Sequence, residues 1–293
     1  MTTDTHTATT PDMAVAPDTD TLSYVYAVGR VGPALDAAAE GLVGLADGPL
    51  RTVASGALAA LVSSVPAEAY GEEGIRARLE DLTELAALAR THHAVVDTAY
   101  ARTTVLPLRL ATVYLDDARV RSMLDERGGA FAEGLGRIEG QVELGVKVYA
   151  DPQAPAGASR PTGPEPSDPP RSLSPGRAYL RQRREQRRRH QDAYRAAGAV
   201  AAGIRDRVAG IVRARVAHRL QQGELAAATG ENIANDAYLV PVRNVAEFRQ
   251  AVAGAAEGLP GVRVEVTGPW APYSFATAPS EAGAEATAGA GEP

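Results

Sequence analysis

Apolar positions change their period several times along this chain, and each change marks a predicted element. Residues 23–28 form a short run of β-branched and aromatic residues closed by Gly29, which predicts a strand. Residues 33–45 are rich in Ala and Leu and predict a short helix. Residues 50–55 and 58–65 predict two strands turning about Ser55-Gly56, with alanines that weaken the pattern. Over 74–100 the spacing turns helical. Leu79, Leu82, Ala86, Ala89, His93, Val96 and Tyr100 recur at alternating steps of three and four, and Leu85, Leu88, His92 and Val95 form an adjoining stripe. Residues 105–110 predict a strand in which Pro107 marks an edge or a distortion. Asp116-Asp117 opens a helix reaching Arg127, and Gly128-Gly129 interrupts or ends it. Over 137–149, Val142, Leu144, Val146 and Val148 alternate with Glu143, Gly145, Lys147 and Tyr149, which predicts a strand.

The segment 151–175 holds eight prolines and little that is apolar, so it reads as a disordered linker. A long helix is expected from 176 toward 228, polar in its first half and carrying Val200, Ile204, Val208, Ile211, Val212, Val216 and Leu220 as an apolar stripe. Residues 237–242 predict a strand, 245–257 a helix and 262–267 a strand. The sum is an α+β fold of two domains, 23–141 and 142–275, each ferredoxin-like or a variant of it, the second with a long basic helix. Residues 1–22 and 276–293 read as disordered tails.

With 293 residues, 45% of them hydrophobic but only 5% aromatic, the expected cores are built from Ala, Leu and Val. The absence of cysteine excludes disulfides, zinc-thiolate sites and thiol nucleophiles. The first residues show neither a basic start nor an apolar core, so no signal peptide is expected. No apolar run approaches the ~20 residues of a membrane span, which makes the cytoplasm the expected compartment. The net charge of −6 is unevenly spread. Lys147 is the only lysine among thirty basic residues, and six arginines fall within 181–189.

Candidate chemistry is sparse. His92 and His93 are successive helical residues, pointing about 100° apart, and do not chelate one ion readily. The i, i+4 pair of a helical zinc site is absent, so a structural or interfacial histidine is the simpler reading. No Gly-x-Ser-x-Gly elbow, Walker loop or Gly-x-Gly-x-x-Gly turn occurs. Asp116-Asp117 and Glu72-Glu73 read as capping or solvated charge. No catalytic residue, cofactor or metal site is therefore expected. The arginine run is a candidate for phosphate contacts, but its side chains point all round a helix and no stacking aromatics are interleaved. A protein-facing or solvated helix competes with that reading. Lys147 and Glu143 share the polar side of one predicted strand, which suggests a structural or interface role.

The most distinctive stretch comes last. Thr267-Gly268-Pro269-Trp270-Ala271-Pro272-Tyr273-Ser274-Phe275 holds the only tryptophan and one of three phenylalanines. Such a proline-bracketed aromatic cluster, built around Trp270, Tyr273 and Phe275, either plugs the core of the last domain or presents a contact surface. This stretch resembles the C-terminal signature of the gas vesicle protein F/L family, with Ala271 in place of a proline. Five further segments are similar to that family's motifs in the same order: Tyr24-Val-Tyr26; His92-His-Ala-Val-Val96; Val105 to Val113, containing Leu106, Pro107 and Arg109; Glu139 to Val148; and Gly176 to Leu180. His93 stands where Glu is usual, and Leu110-Ala111 where Phe-Gly is usual.

The resemblance spans about 23–275. It implies a two-domain, ferredoxin-related minor component or assembly factor of gas vesicles, without enzymatic activity. Its expected partners are the small hydrophobic shell protein and other accessory vesicle proteins, with no nucleic acid and no membrane span. A nucleic-acid-binding regulator and a cytoplasmic enzyme with an unrecognised site are the rival classes.

Overall fold

A computed structural model describes residues 20–151, 175–220 and 230–276. The expected linker and most of both expected tails lie outside these described residues.

Two antiparallel sheets, each with helices, make a mixed α and β architecture. The first sheet contains β1 (Thr21–Arg30), β2 (Leu50–Ser55), β3 (Leu58–Pro66), β4 (Val105–Pro107) and β5 (Val113–Tyr114). Its strand order is β2-β3-β1-β4, and β5 also pairs β1. The second contains β6 (Gln141–Ala150), β7 (Ala214–Ala217), β8 (Glu231–Pro241) and β9 (Val262–Trp270), in the order β7-β8-β6-β9. The helices are α1 (Pro33–Ala39), α2 (Ala67–Tyr70), α3 (Glu72–Glu80), α4 (Leu82–Tyr100), α5 (Asp117–Glu126), α6 (Gly128–Ile138), α7 (Pro175–Val208) and α8 (Val245–Val252). Among the described residues both halves run strand, helix, two paired antiparallel strands, helix, strand, and in both the first strand lies between the third and the fourth.

By contacts, the described chain divides into two compact units. One runs up to Thr103 and resumes over Leu108–Gly128; the other takes Thr104–Pro107 and everything from Gly129 onward.

Several elements differ from the sequence expectation. The expected helix over 74–100 is two helices, because Asp81 breaks α3 and caps α4, its carboxylate accepting from the Thr83 and Glu84 amides at 2.7 and 3.0 Å. The face of α4 that enters the core is Leu88, His92, Val95 and Ala99, which continue the adjoining stripe, together with Val96 of the first; Leu79 and Leu82 point to solvent, Leu82 at 81% exposure. Strand β4 stops at Pro107, where the ring removes a ladder donor, so the strand expected to reach Leu110 is half as long. Residues 128–138 are helix α6, not loop and strand. Phe131, Leu135 and Ile138 repeat at helical spacing, and Gly134 sits where an added Cβ lies 3.1 Å from both Leu106 methyls. Helix α7 ends at Val208; Val216, expected on its stripe, belongs to β7.

In the second unit, α7 and α8 cover one face of the sheet. Ala193, Ala197, Ala201, Ile204 and Val208 of α7 pack on Leu144, Val146 and Val148 of β6 and on Tyr238 of β8, with Phe248 and Val252 of α8 closing the core. The alanines let the helix backbone approach the sheet closely. That compensates for the scarcity of aromatic volume.

Candidate functional site

The C-terminal aromatic segment is fastened onto β6 by backbone geometry and by one carboxylate. Glu143 of β6 stands opposite Trp270 of β9 in the ladder, next to a register irregularity between Glu143 and Gly145. Two glycines permit that approach. An added Cβ at Gly145 falls 2.6 Å from Thr267 Oγ1, and at Gly268, with φ of 95°, it falls 2.6 Å from the Glu143 carbonyl. The chain then turns through Ala271 and Pro272 into a short 3-10 turn, Tyr273–Phe275. There the Ser274 amide donates to Glu143 Oε2 at 2.8 Å and its hydroxyl donates to Oε1 at 2.7 Å. His218 Nε2 lies 2.9 Å from the same hydroxyl. Arg137 donates to the Phe275 carbonyl at 3.4 Å and Arg249 to the Gly268 carbonyl at 2.6 Å. Burial pushes the Glu143 carboxyl above the usual carboxylate range, and the Ser274 bonds and nearby His218 pull it partly back.

Within this clamp the aromatics separate. Phe275 and Ala271 are buried and Tyr273 is half-buried, whereas Trp270 keeps 42% of its surface exposed. The segment therefore splits between both sequence readings, Phe275 behaving as a plug and Trp270 as surface. The partners Ser274, His218, Arg137 and Arg249 were not singled out from sequence; 131 residues separate Ser274 from Glu143, and no local spacing signals such a bond.

Lys147 is half-buried on the same polar side of β6, opposite Asn235 of β8 and Glu265 of β9. Two residues on, the Arg263 guanidinium lies over the Tyr149 ring at 4.0 Å and pairs with Glu265 at 3.1 Å. This face combines cross-strand neighbours, Tyr149 with Arg263 and Lys147 with Glu265, with one ion pair along β9, and such neighbours stabilise a sheet.

In the first unit, the family-like motifs converge on a buried polar knot. Tyr24 Oη lies 2.9 Å from His92 Nδ1 and accepts from the Ala111 amide at 3.0 Å. Tyr26 Oη bonds Ser63 Oγ at 2.8 Å and accepts from the Leu45 amide at 2.7 Å. The His92 ring lies 5.8 Å from Tyr24 and 5.5 Å from Tyr26. Burial lowers the His92 pKa to about 4, with a backbone hydrogen bond to Leu108 acting the other way and neighbouring His93 adding to the lowering. Burial raises both tyrosines. His92 is thus neutral at pH 7 and fills a core position. His93 turns to the surface and pairs with Asp97 at 2.9 Å. Leu106 and Pro107 are buried in the terminal strand of their sheet, while Arg109 is exposed in the following turn.

Two ionic clusters were also missed. Asp236, only 4% exposed, receives Arg205 at 3.0 Å and Arg215 at 2.8 Å. Asp117 receives Arg51 at 2.6 Å and the Ser23 hydroxyl at 2.7 Å. Burial raises the Asp117 carboxyl, but these bonds outweigh it and hold it below its ordinary value. The arginines of 181–189 are all exposed, around the whole circumference of α7. Among the described residues, no group of three His, Asp or Glu side chains is placed to hold a metal ion, and no helix is long and apolar enough to cross a membrane.

The family model for the gas vesicle synthesis protein GvpL/GvpF matches residues 22–277. The chain belongs to the GvpL/GvpF family. Gas vesicle protein L of Streptomyces sp. (strain CB03234) is 43% identical over 258 residues, covering 88% of this chain and 94% of that protein. Gas vesicle protein F of the same strain is 35% identical over 135 residues, 45% of this chain and 50% of that one. Crystal structures of GvpF from Anabaena sp. PCC7120 and from Microcystis aeruginosa share the fold, with TM-scores of 0.58 and 0.57 at 18% identity; each match covers 88% of this chain, and 97% and 99% of the respective neighbour. The Glu143 clamp and the His92 knot of this GvpL/GvpF member thus lie in segments that resemble the family's motifs.

Proposed function

We propose that this protein is an accessory factor of gas vesicle formation that binds the hydrophobic shell protein before or during assembly, a structural rather than an enzymatic role. The observation that carries this reading is Trp270. It is the only tryptophan, it is 42% exposed, and the segment holding it is pinned by Glu143, Arg137 and Arg249. A rigidly held, half-exposed tryptophan presents large apolar area at little entropic cost, which is what a contact residue requires. A shell protein with one water-repelling face needs such a partner to stay in solution. We read the chain as two domains, each ferredoxin-like, because both sheets share the strand order fourth, first, third, second. The longer and closer match to gas vesicle protein L favours an L-type member.

The test is co-purification of tagged protein from cells expressing the vesicle gene cluster. The shell protein should come down with wild type and be lost with Trp270→Ala, while the variant keeps its circular dichroism spectrum and melts only a few degrees lower, still folded at the assay temperature. Undiminished capture by a folded Trp270→Ala protein would refute the assignment of the contact. Failure of wild type to capture the shell protein would refute the role itself.

A further inference from the structure

From Tyr179 onward the outer part of α7 is a charged, exposed rod. From Tyr179 to Asp192 every residue is exposed, and burial begins only at Ala193. Within 181–189 stand six arginines and a single acid, Glu185, a net charge of +5 in a chain whose total is −6. Tyr179 and Leu180 add two large apolar side chains at 57% and 56% exposure, with Arg183 lying 5.8 Å over the Tyr179 ring. Glu185 pairs with Arg189 at 2.6 Å; among the described residues Arg181, Arg184, Arg187 and Arg188 have no carboxylate partner. A helix that is polar all round bridges to something else or depends on internal pairs, and one internal pair leaves most of this charge unmatched.

The same chain exposes a complementary surface in its first unit. Glu68, Glu72, Glu73, Glu80, Asp81 and Glu84 are all exposed along α2, α3 and the start of α4, against only Arg76 and Arg78, a net −4. Arg76 and Arg78 are occupied by Glu72 and Glu84, so Glu68, Glu73 and Glu80 have no cationic partner among the described residues. This ridge also carries two exposed leucines, Leu79 at 40% and Leu82 at 81%. Each surface thus combines a row of unmatched charge with a pair of large apolar side chains, of opposite sign and similar extent; α3 alone spans about 13 Å.

We propose that α7 of one copy docks on the α2–α4 acidic ridge of a second copy, head to tail. Arginine forks suit carboxylates better than lysine does, and the apolar pairs supply area that charge alone lacks. The interface joins two different patches, so a docked pair keeps one free patch of each sign, one on each copy, and association continues into a ring or an open row instead of stopping at a two-fold dimer. The proposal is independent of shell-protein binding.

Sedimentation velocity on the full chain, treated with nuclease, tests it. At about 50 mM salt the mean mass should rise with concentration, and at about 500 mM it should return to that of the monomer, because screening shortens to a few ångströms. Reversing Arg183, Arg184, Arg187 and Arg188 to Glu should abolish association, and so should reversing Glu68, Glu72, Glu73 and Glu80 to Arg. Mixing the two reversed proteins should restore a 1:1 complex, a readout that misfolding cannot mimic. Wild type that stays monomeric at low salt, association unaffected by either reversal, or a mixture that does not associate would each overturn the proposal.

Discussion

Glu143 and Ser274, 131 residues apart, share two hydrogen bonds, the serine giving both its amide and its hydroxyl to one carboxylate. This pair fixes where the chain goes after β9. Ser274→Ala should remove one of the two bonds and cost about 1–2 kcal/mol, since the carboxylate is largely desolvated. Glu143→Gln should cost at least as much, because the amide nitrogen is no acceptor for either donor. Urea melts measure both. Chymotryptic cleavage after Tyr273 or Phe275 under native conditions should accelerate in step.

Trp270 and Phe275 should part company on truncation. Phe275→Ala opens a hole at a buried site and should cost about 3–5 kcal/mol. Trp270→Ala removes a side chain that is 42% exposed in the folded state and should cost clearly less, about 1–2 kcal/mol. Thermal melts of the two variants side by side decide the order. Equal losses would mean that Trp270 is held more tightly than its exposure indicates.

His92 should make the first unit acid-sensitive. Its folded pKa lies near 4 against an ordinary 6.5, so between those values the unfolded chain binds more protons and stability rises with pH. The stabilisation is complete above about pH 6.5 and is lost as pH falls toward 4; the shift corresponds to roughly 3 kcal/mol. Glu143, whose carboxyl is raised, works in the opposite sense: its folded state favours the proton, and its contribution fades as pH rises through its folded value. Asp117, held low by Arg51 and Ser23, adds stability that is present above the ordinary carboxylate pKa and lost below it. Comparing His92→Gln with wild type between pH 4 and 7 isolates the histidine, since the glutamine variant should lose the steep part of the profile.

Asp236→Ala should leave Arg205 and Arg215 facing each other around an empty acceptor. Both arginines are about two-fifths exposed, so water takes up part of the loss, and the expected cost is about 1–3 kcal/mol. The additional Arg215→Ala change should cost little more. A double-mutant cycle measures that coupling.

The elements that a local pattern determines were legible in the sequence. The β2–β3 hairpin follows from two apolar runs about Ser55-Gly56, and β6 from its strict alternation. What failed were decisions taken by distant partners. Gly128-Gly129 read as a helix end, yet both lie in α6, whose apolar face and whose close approach to Leu106 at Gly134 are seen only in the packed structure. Ile211, Val212 and Val216 continue the apolar period of α7, but β8 takes Val216 into its ladder opposite Ala237, and the helix stops first. On α4 two stripes were equally apolar, and only the polar partners of His92 show which faces inward. At the candidate site, Trp270 stood out by rarity alone, whereas Ser274 and His218 carry no signature a reader of sequence would stop at.

Helix α7 is one continuous element with two very different anchorages. Residues 193–208 are held by the sheet, while 179–192 are exposed throughout and meet the docked half through the His190–Tyr194 ring contact and the Asp192–Arg195 pair. An isolated helix of that length is marginal in water, so the outer half persists because the docked half serves as its nucleus. Amide exchange should therefore fall off as a gradient along a single helix, fast at Arg181, slow at Ile204. Any partner that seats on the arginines should read out first as slowed exchange in the outer turns, a reporter of occupancy that the protein carries in its own backbone.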